Sequence, residues 1–447
     1  MKKTLRIVFL LLFLLAAYLI ILQFYPKNAN RFPFLAVLFL GDLYVWLSIK
    51  KWINQKKSIV KHSLHFAYWI PLILLIMAVA TSILHLTGAL FRNATIYVYG
   101  FIFSAYAAKI IPIIFLLIAD MIKGVRHVNV KVAKKIQGER NHTEGTKITR
   151  SEFLKKAGLA GGGIVFSSLI FGMLKWVYDF KIHRVHLQLP NLPTSLDGLR
   201  IVQISDIHLG SWASTDPLEE AVMRINSLQP DLIFFTGDLV NYKSDEAFPF
   251  KQVLQKLKAR QGIFATLGNH DYGDYTRWPS TEAKRQNMTE LYNFYDEIGW
   301  KLLNNENQII ERDGAKIAVI GVENWGAFSR FPKYGDIKKA SLGTEEAKVK
   351  LLLSHDPSHW EEIVTKKYPD IDITFAGHTH GFQFGIEIKK LKWSPAQYIY
   401  KYWAGLYENL VANQKPQYLY VNRGLGTIGY PGRVGILPEI TLFELQA

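Results

Sequence analysis

Hydrophobic positions fall into two textures along this chain. As far as residue 121 they form four unbroken apolar runs, at 7–24, 33–49, 66–86 and 97–121. Each is close to the roughly 20 residues that a helix needs to cross a hydrocarbon core. A fifth run, 157–176, is richer in glycine and weaker. Beyond about residue 187 the pattern changes to short apolar stretches of strand length: 199–205, 231–236, 262–267, 316–322, 349–354, 372–376, 417–421 and 439–443. Helical patterns lie between the early strands. One covers 217–229, with Asp216 as N-cap and Pro217 at the first position. Another covers 245–260, with Leu254 and Leu257 on one face. Strands alternating with helices imply crossover connections and buried, largely parallel strands. The surplus of strands implies two packed sheets with helices outside. The expected fold class is α/β, a two-sheet β-sandwich flanked by helices, preceded by an all-α transmembrane region. The expected divisions are a four-helix membrane region at 1–122, a basic cytoplasmic linker at 123–156, and a fifth membrane helix or degenerate export-signal helix at 157–178; a linker at 179–196 and the sandwich domain at 197–447 complete the chain.

Composition supports the membrane assignment, with 49% hydrophobic and 13% aromatic residues. The formal charge of +16 would suit nucleic acid if the whole chain carried it. It does not: residues 1–183 hold 24 Lys and Arg against 6 Asp and Glu, and the rest hold 29 against 31. The basic charge flanks the apolar runs, so no nucleic-acid partner is expected. Lys and Arg gather before the first run, at 50–61, and at 123–156, whereas the alternate loops hold only Lys27, Arg31 and Arg92. Basic loops face the cytoplasm, so a fifth span puts the chain beyond about residue 178 on the outer, periplasmic or extracellular face. Without that span the domain stays inside. The stretch Thr149-Arg150-Ser151-Glu152-Phe153-Leu154-Lys155 resembles a twin-arginine export signal with Ser151 in place of the second arginine. Asp42, Lys109 and, nearer an end, His85 are costly within the spans; an Asp42–Lys109 ion pair is expected rather than a proton relay. The lack of cysteine excludes disulfides, zinc–thiolate sites and thiol nucleophiles.

Candidate chemistry gathers where the apolar stretches of the second half end. Asp206-Ile207-His208, Gly237-Asp238, Gly268-Asn269-His270-Asp271, Ser354-His355 and Gly377-His378-Thr379-His380 each close one. In open α/β sheets ligands bind beyond the carboxyl ends of strands. Carboxylates, an amide and imidazoles offer oxygen and nitrogen donors that suit Mn, Fe, Zn or Ni, with Mg also open, rather than copper or an iron–sulfur cluster. Seven such ligands exceed one tetrahedral zinc. Two metals sharing a bridging carboxylate would use them all and clamp an in-line displacement at phosphorus.

These motifs resemble the calcineurin-like metallophosphoesterase superfamily over residues 197–447. The runs Asp206-Ile207-His208-Leu209-Gly210, His378-Thr379-His380-Gly381, Asn422-Arg423-Gly424-Leu425-Gly426 and Pro438-Glu439-Ile440 look like its YkuE/YaeI-like branch. The resemblance implies the metallophosphoesterase fold and two divalent metal ions, Mn, Fe or Zn. Carried over by position, Asp206, His208 and His380 would hold the first ion and Asn269, His355 and His378 the second, with Asp238 bridging. A metal-bridging hydroxide would attack phosphorus. His270 would stabilise the phosphoryl charge or protonate the leaving oxygen, with Asp271 orienting it. Phe382 replaces the second glycine of the branch's Gly-Gly-Gln, where it narrows the pocket or meets an apolar leaving group.

Plainer readings stand beside these. His359 is expected on the surface or behind the ligands, and His183 and His186 near the membrane surface. Arg423 and Arg433 either meet a phosphate or pin a loop. The aromatic stretch 393–407, with lysines beside it, suits a bilayer interface or an active-site flap. The expected function is hydrolysis of a phosphate mono- or diester, lipid-linked or envelope-derived, by a membrane-anchored dinuclear enzyme with the bilayer as partner and no obligate protein partner. The alternatives are a UDP-2,3-diacylglucosamine-type pyrophosphate hydrolase of lipid A synthesis and a non-catalytic membrane sensor.

Overall fold

The computed structural model describes residues 2–83, 92–137, 150–388, 391–411 and 415–447. It divides into two compact units, Met1–Ala89 with Val98–Ile170, and Leu90–Tyr97 with Phe171–Ala447.

Among the described residues five helices build the first unit: α1 (Lys2–Phe24), α2 (Phe32–Asn54), α3 (Ser58–Ile83), α4 (Arg92–Gln137) and α5 (Arg150–Leu174), the first residues of α4 and the last of α5 counting with the second unit. Among the described residues, Ala29–Asn54, Ser58–Ser82, Ala94–Asn129 and Glu152–Tyr178 are long and apolar enough to cross a membrane, whereas Val8–Phe24 is shorter. The glycine-rich fifth run is therefore of spanning length. Asp42 is buried and ion-paired with Lys109. Tyr106 donates to the Asp42 carboxylate at 2.9 Å and Tyr68 to its backbone carbonyl at 2.6 Å. A carboxylate held this way is compatible with an apolar surround. His85, and 138–149 of the basic linker, lie outside the described residues.

Two six-stranded sheets organise the second unit. Sheet A contains β1 (Lys181–Gln188), β2 (Leu199–Ile204), β3 (Leu232–Thr236), β4 (Ile263–Thr266), β5 (Lys301–Leu302) and β14 (Glu439–Gln446), in the order β1-β14-β2-β3-β4-β5. Sheet B contains β6 (Glu306–Arg312), β7 (Ala315–Gly321), β8 (Val349–Leu353), β9 (Ile373–Ala376), β12 (Gly405–Leu410) and β13 (Pro416–Val421), in the order β12-β13-β9-β8-β7-β6. A separate hairpin joins β10 (Ile386–Ile388) to β11 (Leu391–Trp393). The inner faces of both sheets share one core, in which Ile201, Leu232 and Phe234 meet Val319, Leu351 and Phe375. Helices α6 (Asp216–Ser227) and α8 (Thr281–Glu297), with the short α7 (Lys251–Leu254), cover the outer face of sheet A.

The sandwich matches the expectation, and the differences are local. The expected linker at 179–196 contains β1, an edge strand whose buried face is carried mainly by Val185 and Leu187, too little to register as an apolar run. The expected helix at 245–260 is two 3-10 turns followed by α7, broken around Phe248-Pro249-Phe250 because proline lacks the N–H that a continuing helix needs.

Register brings the site together. Strands β2, β3 and β4 run parallel and in step, Ile204 beside Phe235 and Thr236 beside Thr266. In sheet B, Leu353 of β8 pairs with Phe375 of β9. Gln203 ties the sheets at this end, donating to Thr236 Oγ1 at 3.1 Å and to the Ala376 carbonyl at 2.9 Å.

Candidate metal centre

The loops after β2, β3, β4, β8 and β9 leave this common edge and carry the motifs. Half of the ten non-glycine residues with positive φ among the described residues are Asp206, His208, Asp238, His378 and His380. Side chains rarely adopt that region unless their surroundings hold them there, and such strain gathers at functional sites. Close backbone packing makes the turns possible. A Cβ on Gly377 would collide with Ser205 Oγ and the Asp206 carboxylate, and one on Gly237 (φ +90°) would stand 2.6 Å from the Gly268 amide.

Two clusters result, Asp206, His208, Asp238 and His380 in one, and Asp238, His355 and His378 in the other. Asp238 belongs to both. Its Oδ1 accepts from the His270 amide at 2.8 Å, while Oδ2 lies 3.5 Å from His208 Nε2 and 3.2 Å from His355 Nε2. His380 Nε2 stands 3.2 Å from Asp206 Oδ1 and 3.1 Å from His208 Nε2, and His378 Nδ1 is 3.2 Å from His355 Nε2. Donor separations of this size are what metal–ligand distances of about 2.1 Å generate around a shared ion. Asn269 adds an oxygen: its Nδ2 donates to Tyr275 at 2.8 Å, leaving Oδ1 buried without a hydrogen-bond partner among the described residues.

Electrostatics sets the protonation that ligation requires. Burial opposes the charge on Asp206, yet the neighbouring His380 imidazole holds its carboxyl at about 2. Asp238 is likewise held well below the usual range, its burial outweighed by His355 and His270. Burial pushes His208 and His378 down, keeping both imidazoles neutral. His355 is also buried, but Asp238 raises it to about 10, marking a position where the carboxylates favour positive charge. Its Nδ1 donates to the Thr236 carbonyl at 2.7 Å, which leaves Nε2 turned to the Asp238 carboxylate as the nitrogen that could hold a metal. The residues present fit a pair of divalent cations.

Comparison with known proteins agrees with this geometry. Residues 199–382 match the family described as calcineurin-like phosphoesterase, and residues 28–176 match the "Probable Calcineurin-like phosphoesterase, transmembrane domain". The "UDP-2,3-diacylglucosamine pyrophosphatase LpxG" of Chlamydia muridarum is 31% identical over 298 residues, 57% of this chain and 88% of that protein. The chain belongs to the calcineurin-like metallophosphoesterases. The "Uncharacterized metallophosphoesterase YkuE" of Bacillus subtilis is 29% identical over 310 residues, covering 67% of this chain and 99% of YkuE. The "Transmembrane protein with metallophosphoesterase domain" of Danio rerio is 30% identical over 283 residues, 62% of this chain, and the chain spans 60% of that relative's length. The protein is thus an integral membrane metallophosphoesterase, a metal-dependent phosphoric ester hydrolase.

Around the metallophosphoesterase centre, several expected roles change hands. Asp271 does not touch the His270 ring. Its carboxylate accepts from four amides, those of Asp238 at 2.9 Å, Leu239 at 2.8 Å, Val240 at 3.2 Å and Gly268 at 2.8 Å, and so fixes the loop that carries Asp238. The Asn241 carbonyl orients His270 instead, accepting from Nδ1 at 2.8 Å, while the ring packs on Tyr275. Arg423 is not at the open rim: it is buried and paired with Glu439 and, at 2.6 Å, with Glu387. Arg433 is also buried and donates to the carbonyls of Arg423, Gly424 and Gly426. Both arginines brace loops. Phe382 keeps a positive φ and is 44% exposed, directly after the His380 turn. His359 is buried rather than superficial, with Nδ1 2.8 Å from Ser354 Oγ.

Two further groups stand beside His378. Tyr400 brings its hydroxyl to 3.0 Å from His378 Nε2, and Asp356, fully buried, brings Oδ2 to 3.5 Å from the same nitrogen. Tyr400 belongs to the aromatic stretch expected as a flap or bilayer interface, and Asp356 directly follows His355.

Proposed function

We propose that this metallophosphoesterase hydrolyses a lipid-linked or envelope-derived phosphate ester, with Asp206, His208 and His380 holding one ion and Asn269, His355 and His378 the other. The observation that carries the ligand assignment is the Asp238 carboxylate, common to both clusters. When bound, two such ions polarise the phosphoryl oxygens and bring the pKa of coordinated water down towards about 7. The chain's own residues do the rest. Asp206 and Asp238 stay ionised, and His208 and His378 stay neutral. His270, with Nδ1–H fixed on the Asn241 carbonyl, has Nε2 for giving a proton to the leaving oxygen. Phe382 offers an exposed apolar surface beside the site for the leaving group.

Hydrolysis of bis(p-nitrophenyl) phosphate with added Mn²⁺ tests the chemistry. Turnover is expected from the unmodified protein and not from Asp238→Ala, and it should fall sharply in His270→Ala. Metal-dependent turnover that both substitutions leave unchanged would sink the assignment.

A second reading, cleavage of a UDP-2,3-diacylglucosamine-like diphosphate, is favoured by the match to LpxG along 88% of that protein. The side of the membrane separates the two. The basic loops and the spanning length of Glu152–Tyr178 support an outward-facing catalytic unit. Reporter fusions after Lys181 test this, and a cytoplasmic signal would favour the diphosphate.

A further inference from the structure

The hairpin β10–β11 is built inside out. Its register pairs Ile386 with Trp393, Glu387 with Lys392 and Ile388 with Leu391. Residues opposite one another in an antiparallel pair share a face, and faces alternate along each strand. One face is therefore Glu387 and Lys392, and the other is Ile386, Ile388, Leu391 and Trp393. The polar face is the one that holds the hairpin to the protein: Glu387 pairs with buried Arg423 at 2.6 Å, and Lys392 donates to the Ala404 carbonyl over the Trp403 ring. The apolar face is turned out, with Ile386 42%, Ile388 64% and Leu391 58% exposed. Tyr398, 75% exposed, sits beside the Trp393 indole N–H at 3.4 Å.

An outward aliphatic face of this kind is an interaction surface. We propose that it enters the interfacial layer of the bilayer and presents lipid-borne esters to the metal centre. Three observations choose the bilayer as occupant. The same chain carries helices of spanning length, so a membrane is always within reach. Trp393 and Tyr398 flank the aliphatic residues as aromatic side chains do at the headgroup level. Between β10 and β11 the sequence is Lys389-Lys390, complementary to anionic headgroups. The hairpin is also tied to the last ligand turn, since Ser394 Oγ donates to the Gly381 carbonyl at 2.7 Å. The remainder of the 393–407 stretch serves as a flap as well: Tyr400 and Trp403 are buried with Ile436 in a small core of their own.

The chain has no cysteine, so single labels can be placed without background. Full-length Ile388→Cys and Leu391→Cys, carrying a nitrobenzoxadiazole fluorophore, are reconstituted in phosphatidylcholine–phosphatidylglycerol vesicles. Leu342→Cys, an exposed position on another loop, serves as reference. Labels at 388 and 391 should be quenched by brominated lipid and shielded from iodide, with the reverse at 342. Iodide access at 388 and 391 equal to that at 342 would overturn the proposal. So would shielding that disappears on dilution of protein in lipid, which would mark a second copy as the occupant.

Delivery of substrate rests on the proposed function, whereas docking does not. The triple variant Ile386→Ser, Ile388→Ser, Leu391→Ser should retain turnover of a soluble ester within about twofold. It should lose roughly tenfold or more on a long-chain ester embedded in vesicles, because three aliphatic side chains no longer partition. Equal loss on both esters overturns delivery. Lack of turnover by the unmodified protein on either ester overturns the catalytic reading and leaves the labelling result standing.

Discussion

Asp238 is the residue on which both clusters depend, with one oxygen held by an amide and the other shared by two imidazoles. Asp238→Asn keeps the shape and removes the charge. It is expected to lower both bound metal and kcat by more than about a hundredfold, read by elemental analysis beside turnover. His270→Ala should separate the two quantities, with kcat falling about 10²–10⁴-fold at unchanged metal content. Asp356→Asn tests the carboxylate behind His378; metal affinity should fall about 10–100-fold, measured by competition with a chelator. The residues of the two clusters were legible because each closes an apolar run, where a parallel sheet exposes its loops. The groups behind them were not. Asn241 acts through a carbonyl that every residue possesses, and Tyr400 reaches His378 from a loop 22 residues further on. Arg423 drew attention by its charge, yet its two carboxylate partners come from 36 and 16 positions away.

Secondary-structure elements succeed or fail here according to how much apolar surface each buries. Strands β2, β3, β8 and β9 are buried along almost their whole length and read plainly as apolar runs. The edge strand β1 and the hairpin β10–β11 bury one face or less, so pattern alone left them as linker or flap. The loop after β3 buries Leu239 and Val240 in the core, and its backbone is held by Asp271, which gathers four amides around one buried carboxylate. Asp271→Ala leaves those amides without their acceptor. The expected cost is about 3 kcal/mol or more, seen as a lower unfolding midpoint of the full-length protein in detergent, with metal affinity reduced alongside.

Across the whole catalytic unit, a buried ion pair links the centre to the last strand. Glu439 opens β14, pairs with Arg423 and accepts from Tyr420 Oη at 2.6 Å. Burial resists its charge, but Arg423 outweighs that and holds the carboxyl at about 2, against an ordinary 4.5. The depressed value means that the ionised form stabilises the fold. That contribution is complete above pH 4.5 and is lost as pH falls towards 2. Acid unfolding should therefore steepen in this window, and Glu439→Gln should flatten that limb of the curve while lowering stability at neutral pH. The two-sheet architecture was visible in the count and spacing of apolar runs, whereas the place of β14 was not. It inserts between β1 and β2, joining stretches more than two hundred residues apart in sequence. This has a consequence for biosynthesis. The amides of Leu425 and Gly426 hold the backbone of Ser205 and Asp206 at 2.9 and 2.8 Å, and Glu439 secures the Gly424 carbonyl at 3.1 Å. A growing chain therefore carries all five helices long before Asp206 can be set in its turn. Anchoring comes first, and the contacts that hold the Asp206 turn become available only once the chain has been made as far as β14.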